Sequence, residues 1–183
     1  MSKKLLIAGA AFVLGVVAVL GWLYFSGNGT ESTARVFGDW KLGCPPRTVA
    51  AAECALTQDV MQGGTGVTLV HLQLVHKDAE RRLLIVVPHG VLLKPGLGLI
   101  IGNAPLRVLQ YQTCDTVGCI AILPLDQTTQ DALQAVDAGR IVVVWRDGKD
   151  VAFPISLRGF AKGASAFGWE TFKRHSWLGR YLP

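Results

Sequence analysis

The chain has 183 residues, half of them hydrophobic and 17% charged, with a formal net charge of +5. The surplus sits at the two ends, since basic and acidic residues balance at twelve each between Leu5 and Phe160; this excludes an extended nucleic-acid-binding face. Beyond the first apolar run lie about 150 residues, enough for one domain with a hydrophobic core, and no composition shift asks for a second.

From Leu5 to Phe25 the chain is uncharged and almost wholly apolar, behind Lys3 and Lys4. A helix rising 1.5 Å per residue crosses a bilayer's hydrocarbon core in about 20 such residues, so residues 5–25 read as one transmembrane helix. Trp22, Tyr24 and Phe25 at its far end suit the membrane interface. The other reading is a cleaved secretory signal, whose apolar region is usually only about 7–15 residues and is followed by small residues at the cut. Ser32-Thr33-Ala34 is a poor and distant candidate for that cut, so a retained anchor is the expectation. The lysines keep residues 1–4 in the cytoplasm. A tether at 26–35 then leads to a domain in an oxidising compartment. Asn28-Gly29-Thr30 within it fits a glycosylation pattern too short to carry weight.

Short apolar segments separated by turn residues follow. Strands are expected at Val36–Leu42, Ala55–Met61, Val67–Val75, Arg82–Val87, Gly98–Ile101, Arg107–Tyr111, Ile120–Leu123, Ile141–Trp145 and Val151–Ser156. Val70, Leu72 and Leu74 alternate with His71 and Gln73, the pattern of a half-buried strand, whereas Leu83–Val87 and Ile141–Trp145 are continuous apolar runs of the kind found in sandwich cores. Turns are expected at Gly63–Gly66, Pro95-Gly96 and Asp147-Gly148. One helix interrupts the series, Asp126–Ala138, with Ala132, Leu133 and Val136 as its apolar stripe and Gly139 as its stop. The fold class is therefore mainly β, a single sandwich or partly open barrel with one packed helix, preceded by one transmembrane helix.

The four cysteines, Cys44, Cys54, Cys114 and Cys119, all follow the apolar run. An even count in an oxidising compartment points to disulfides. Spacing favours Cys44 with Cys54 and Cys114 with Cys119, while crossed pairing would tie the two halves together and stays open. Zinc fails on spacing, because neither pair is C-x2-C and no histidine stands at ligand distance. Cys114 and Cys119 are a compact dithiol with four residues between them, two more than the thioredoxin motif has.

Four stretches in order then carry a resemblance: Phe37-Gly38-Asp39-Trp40 with Cys44 and Cys54; Pro88-His89-Gly90-Val91-Leu92-Leu93-Lys94-Pro95-Gly96-Leu97; Cys114 with Gly118-Cys119; and Ile155-Ser156-Leu157-Arg158-Gly159-Phe160. Together they resemble the invasion-associated locus B family of Gram-negative bacteria, over about Val36 to Ala161. The resemblance implies an exported, disulfide-bonded, β-rich domain at residues 36–161 in the bacterial envelope. Some members are linked to invasion of host cells, and the resemblance implies no enzyme activity and no cofactor. Members typically have cleavable signals, which this chain's retained anchor and its extension at 162–183 do not match.

A catalytic constellation is not legible. His71 and His76 are five apart and point to opposite faces of a strand, His89 lies in a proline–glycine turn, and His175 in the final segment. Gly63–Gly66 lacks the Lys-Ser/Thr of a phosphate loop. Phe37–Trp40 reads as a strand start, with Trp40 in the core and Asp39 bonded to local backbone. The final segment concentrates Trp169, Phe172, Lys173, Arg174, Trp177, Arg180 and Tyr181, types enriched where proteins meet partners. Basic and aromatic residues interleave there, and Gly168 and Gly179 weaken a helix. Folding back on the domain, docking a protein and lying on anionic lipid headgroups are its three readings.

The expectation is a non-enzymatic, single-pass protein of the bacterial inner membrane, with its main domain in the periplasm. That domain binds an integral-membrane or envelope protein, as an accessory subunit or as a free-standing domain. No nucleic acid, cofactor or metal is expected; a periplasmic ligand carrier stays open, but no sequence feature identifies a small-molecule ligand or substrate. The alternative is a thiol–disulfide active protein using Cys114 and Cys119.

Overall fold

The computed structural model describes residues 32–177 apart from 47, 48, 50–52 and 79. Its elements in chain order are β1 (Thr33–Phe37), β2 (Trp40–Cys44), β3 (Ala55–Met61), β4 (Thr68–Lys77), β5 (Glu80–Val87), β6 (Leu97–Ile101), β7 (Arg107–Leu109), β8 (Tyr111–Cys114), β9 (Cys119–Pro124), α1 (Gln127–Gln134), β10 (Ala138–Val144), β11 (Asp150–Ser156) and α2 (Phe160–His175). The strands form two sheets, one of seven in the order β1-β2-β3-β4-β5-β9-β8 and one of four in the order β11-β10-β6-β7. This is the two-sheet arrangement of a β-sandwich. No helix among the described residues is long and apolar enough to cross a membrane, and the span expected at 5–25 lies outside them.

Each sheet buries one face. In β4, Val70, Leu72 and Leu74 are buried while His71 and Gln73 occupy the other face. The continuous apolar runs behave the same way: Leu83, Ile85 and Val87 are buried, and so are Ile141 and Val143, but Leu84, Val86, Val142 and Val144 are only half-buried. Both runs thus line the sandwich core, as their sequence suggested, but with one face only.

Two expected strands divide. Val36–Leu42 is a hairpin in which Phe37 pairs with Trp40, made possible by Gly38 at φ +58°. Arg107–Tyr111 splits at Gln110, because β7 pairs with β6 in the small sheet and β8 with β9 in the large one. The helix expected over Asp126–Ala138 shortens to α1. Asp126 is its N-cap, accepting from Thr129 N at 2.7 Å. It stops early because Ala138 and Gly139 join β10, opposite Ser156 and Ile155. Leu133 is buried and Val136 packs against the core, but Ala132 is exposed.

The expectation of a single helix also needs correction. Residues 160–175 form α2, laid over β1, β2 and β3, and the boundary expected between residues 161 and 162 falls inside it. Phe160, Gly163, Ala164, Phe167 and Thr171 recur at helical spacing and are buried. A Cβ on Gly163 would stand 2.8 Å from Leu56 Cδ1, so this glycine brings the helix close to the sheet, and packing overrides its weak propensity. Of the three readings of the final segment, its described part folds back on the domain.

Candidate functional site

Two of the stretches carrying the family resemblance meet in space. Asp39 N donates to Arg158 O at 3.2 Å. Ser156 O accepts from Trp40 Nε1 at 3.0 Å and from Gln58 Nε2 at 2.8 Å, while Ser156 N donates to Gln58 Oε1 at 3.2 Å. Gln58 is buried, and these bonds supply the partners burial demands. Asp39 Oδ2 accepts from Ser156 Oγ at 2.5 Å and from Arg158 Nε and Nη2 at 3.1 and 3.0 Å. Sequence reasoning assigned Asp39 to local backbone; it instead grips side chains more than a hundred positions away. The bonds from Ser156, then Arg158, hold the Asp39 carboxyl below the usual carboxylate range. Gly159, at φ +87°, passes against Phe37 O where no Cβ fits. Beneath lies Trp40, edge-on to Phe160 at 5.0 Å. The cluster is a clamp joining the first hairpin to β11 and α2. Its polar groups are taken up by one another, which suits a structural role.

The cysteines pair as spacing favoured, Cys44 with Cys54 and Cys114 with Cys119. The first pair is buried, whereas Cys114 is exposed on β8, the last strand of the large sheet. The histidines are scattered. His71 Nδ1 lies 2.7 Å from Asp59 Oδ1, His89 Nε2 lies 2.7 Å from Asp115 O, and His76 and His175 face each other with ring centroids 5.4 Å apart. Among the described residues no three His, Cys, Asp or Glu gather in a group that could hold a metal. A cleft of about 460 Å³ between the β5 and β9 ends and α1 is lined by Arg81, Asp126 and Gln130 among others. Its polar groups are committed too, since Arg81 Nη1 donates to Gln130 Oε1 and Asp126 caps α1.

The residues singled out in the final segment separate by helix face. Lys173 is buried and paired with Glu170 at 3.2 Å, and Arg174 Nη2 donates to Pro45 O at 2.5 Å. Trp169 and Phe172 face outward as a stacked pair with centroids 5.6 Å apart, and Trp177 is more exposed still. Arg180 and Tyr181 lie outside the described residues.

One surface escaped the sequence reading. In the small sheet, Ala152, Val142, Gly98 and Val108 stand opposite one another and share the outer face. Leu106 folds over Gly98, where a Cβ would meet both its Cδ1 and Val142 Cβ. Leu106 and Val108 are each more than half exposed, so the middle of this face is apolar and uncovered among the described residues, with Arg140 and Asp150 on the same face at its two ends. The unbroken apolar run at 141–145 was its trace, since a strand with one face in water ordinarily alternates.

The fold and these surfaces define a disulfide-stapled, two-sheet β domain with its polar clusters turned to structural use. The family model of the invasion associated locus B (IalB) protein matches residues 40–168, and the chain belongs to that family. Two invasion protein B homologs of Brucella abortus, from strain 2308 and from biovar 1 strain 9-941, are each 26% identical over 155 residues, covering 83% of this chain and 89% of theirs. The crystal structure of invasion associated protein b from Bartonella henselae superposes with a TM-score of 0.67 at 17% identity, over 76% of this chain and 99% of that one. The shared fold includes the sandwich described above.

Proposed function

We propose that this is a non-enzymatic, single-pass protein of the bacterial inner membrane. Its IalB domain stands in the periplasm and binds another envelope protein, as an accessory subunit of a membrane complex. The observation that carries the binding role is the apolar outer face of the small sheet around Leu106, Val108 and Val142, since such faces on soluble domains mark contact sites. The uncharged run at 5–25 supports the anchor, and two disulfides fit an oxidising compartment.

The test is purification of the full-length protein from its native membranes in gentle detergent, with co-purifying chains quantified. Deleting the final segment is the wrong control, because Ala164 and Phe167 belong to the core. Leu106→Glu with Val108→Glu changes exposed side chains only. A stoichiometric membrane partner lost in this variant is the expected result; recovery of the protein alone would leave a free-standing domain. The rival thiol–disulfide reading draws on the exposure of Cys114 at the free edge of the large sheet.

A further inference from the structure

We infer that the exposed ridge of α2 lies in the headgroup layer of the membrane that carries the anchor. The inference rests on the anchor proposed above and adds how the domain is oriented upon the bilayer.

The ridge is built by helical spacing. Lys162, Ser165, Trp169, Phe172 and Ser176 succeed one another at three- and four-residue steps, on the side opposite buried Gly163, Phe167 and Thr171. Trp169 is 49% exposed, Phe172 44% and Trp177, just beyond the helix, 69%. Two large aromatics on the ridge and a third just past its end are left partly in water and are not needed for the core. Trp side chains, with an apolar ring and one N–H donor, partition to the headgroup level of a bilayer.

The position of the tether selects the lipid surface as the occupant. Thr33, first residue of β1, pairs with Cys44. Next to Cys44 is Pro45, whose carbonyl receives Arg174 near the end of α2. Arg35, two residues into β1, pairs with Glu170 at 2.9 Å. The chain therefore reaches the domain beside the end of α2 that carries Phe172 and Trp177. Eight peptide steps separate Phe25 from Thr33, a reach of at most roughly 26–29 Å. A domain tied so close to the bilayer, at that corner, has α2 within reach of the headgroups. Lysine supplies little of the attraction, because Lys173 is already paired with Glu170 and only Lys162 stands exposed along the ridge.

The experiment uses full-length protein in nanodiscs of zwitterionic and anionic phospholipid. The native cysteines are all in disulfides, so Ser165→Cys supplies a single labelling site on the ridge. Lys149→Cys is the control, its side chain 81% exposed in the turn before β11, at the far end of that strand from α2 and away from both disulfides. Each site carries a fluorophore, and quenching by lipids spin-labelled at the headgroup is measured. Quenching about threefold stronger at 165 than at 149 is expected for a helix seated at the interface, and it should fall when Trp169→Ala and Phe172→Ala are added. Equal, weak quenching at both sites in protein that stays in the disc would overturn the inference and leave the anchor standing. Protein that does not remain in the disc would overturn the anchor, and the inference with it. Protection of position 165 only after other membrane proteins are added would assign the ridge to a protein partner and overturn the lipid reading.

Discussion

The two ends of the seven-stranded sheet are stabilised in different ways. At the β1–β3 end, α2 covers the sheet, Trp40, Phe160 and Phe167 are fully buried, and the Cys44–Cys54 bridge lies inside. Its bonds join residues far apart in sequence, such as Gln58 to Ser156 and Asp39 to Arg158. At the β8–β9 end a four-residue strand is stapled to its neighbour by Cys114–Cys119, five positions apart, with Cys114 and Val117 in solvent. The first end joins distant segments by packing around its bridge, whereas at the second only β9 places buried residues in the core and the edge strand β8 is held to it by a local covalent link. A strand too short to bury much surface can be held by a bridge, whereas an end carrying two motifs and a helix has to be assembled from distant parts.

Core truncation is the strongest way to break that contrast. Phe160→Ala or Trp40→Ala removes a fully buried aromatic and should destabilise by about 3–5 kcal/mol, while Val117→Ala should change stability by less than about 0.5 kcal/mol. Urea denaturation of the full-length protein in mild detergent measures both, and similar effects would dissolve the comparison.

The disulfides come next. Chain entropy assigns each short loop about 2–3 kcal/mol, and the Cys44–Cys54 bridge adds buried packing. Replacing that pair by alanine should therefore destabilise more than replacing Cys114 and Cys119. In a reductant titration Cys114–Cys119, whose Cys114 is exposed although Cys119 is buried, should open first, with the fold retained. If Cys114–Cys119 opens under mild reductant and its thiols exchange with a disulfide substrate, the thiol–disulfide reading gains over the binding one. Resistance of both pairs would remove it.

The smallest effect is that of pH. The folded carboxyl of Asp39 is depressed, so its contribution is fully present above the unfolded value near 3.9 and is lost as pH falls through the lower folded value. Asp126 is lowered as well, chiefly by its bonds to Thr129. Asp39→Asn should flatten the dependence of stability on pH below about 4 while leaving the profile above 6 unchanged. An unaltered acid limb would mean that the clamp contributes nothing to acid stability.

What sequence alone could determine was local. Alternation in Val67–Val75, the turn residues between strands and the spacing of the cysteines report on neighbours along the chain, and the sheets and both bridges follow them. The family resemblance was legible because its motifs recur in order, and the family model matches over residues 40–168. Long-range placement was not legible. Nothing in Phe37–Trp40 or Ile155–Phe160 says that Asp39 meets Arg158, because hydrogen bonding across more than a hundred residues leaves no periodicity. The helix at 160–175 was obscured by its glycines, whose close approach to the sheet matters more than their propensity. Packing also divided the final segment, turning Lys173 and Arg174 toward partners within the domain and leaving Trp169, Phe172 and Trp177 outside. Composition can supply an aromatic-basic segment, but only the burial of one helix face decides which of its side chains remain available to a membrane or a partner.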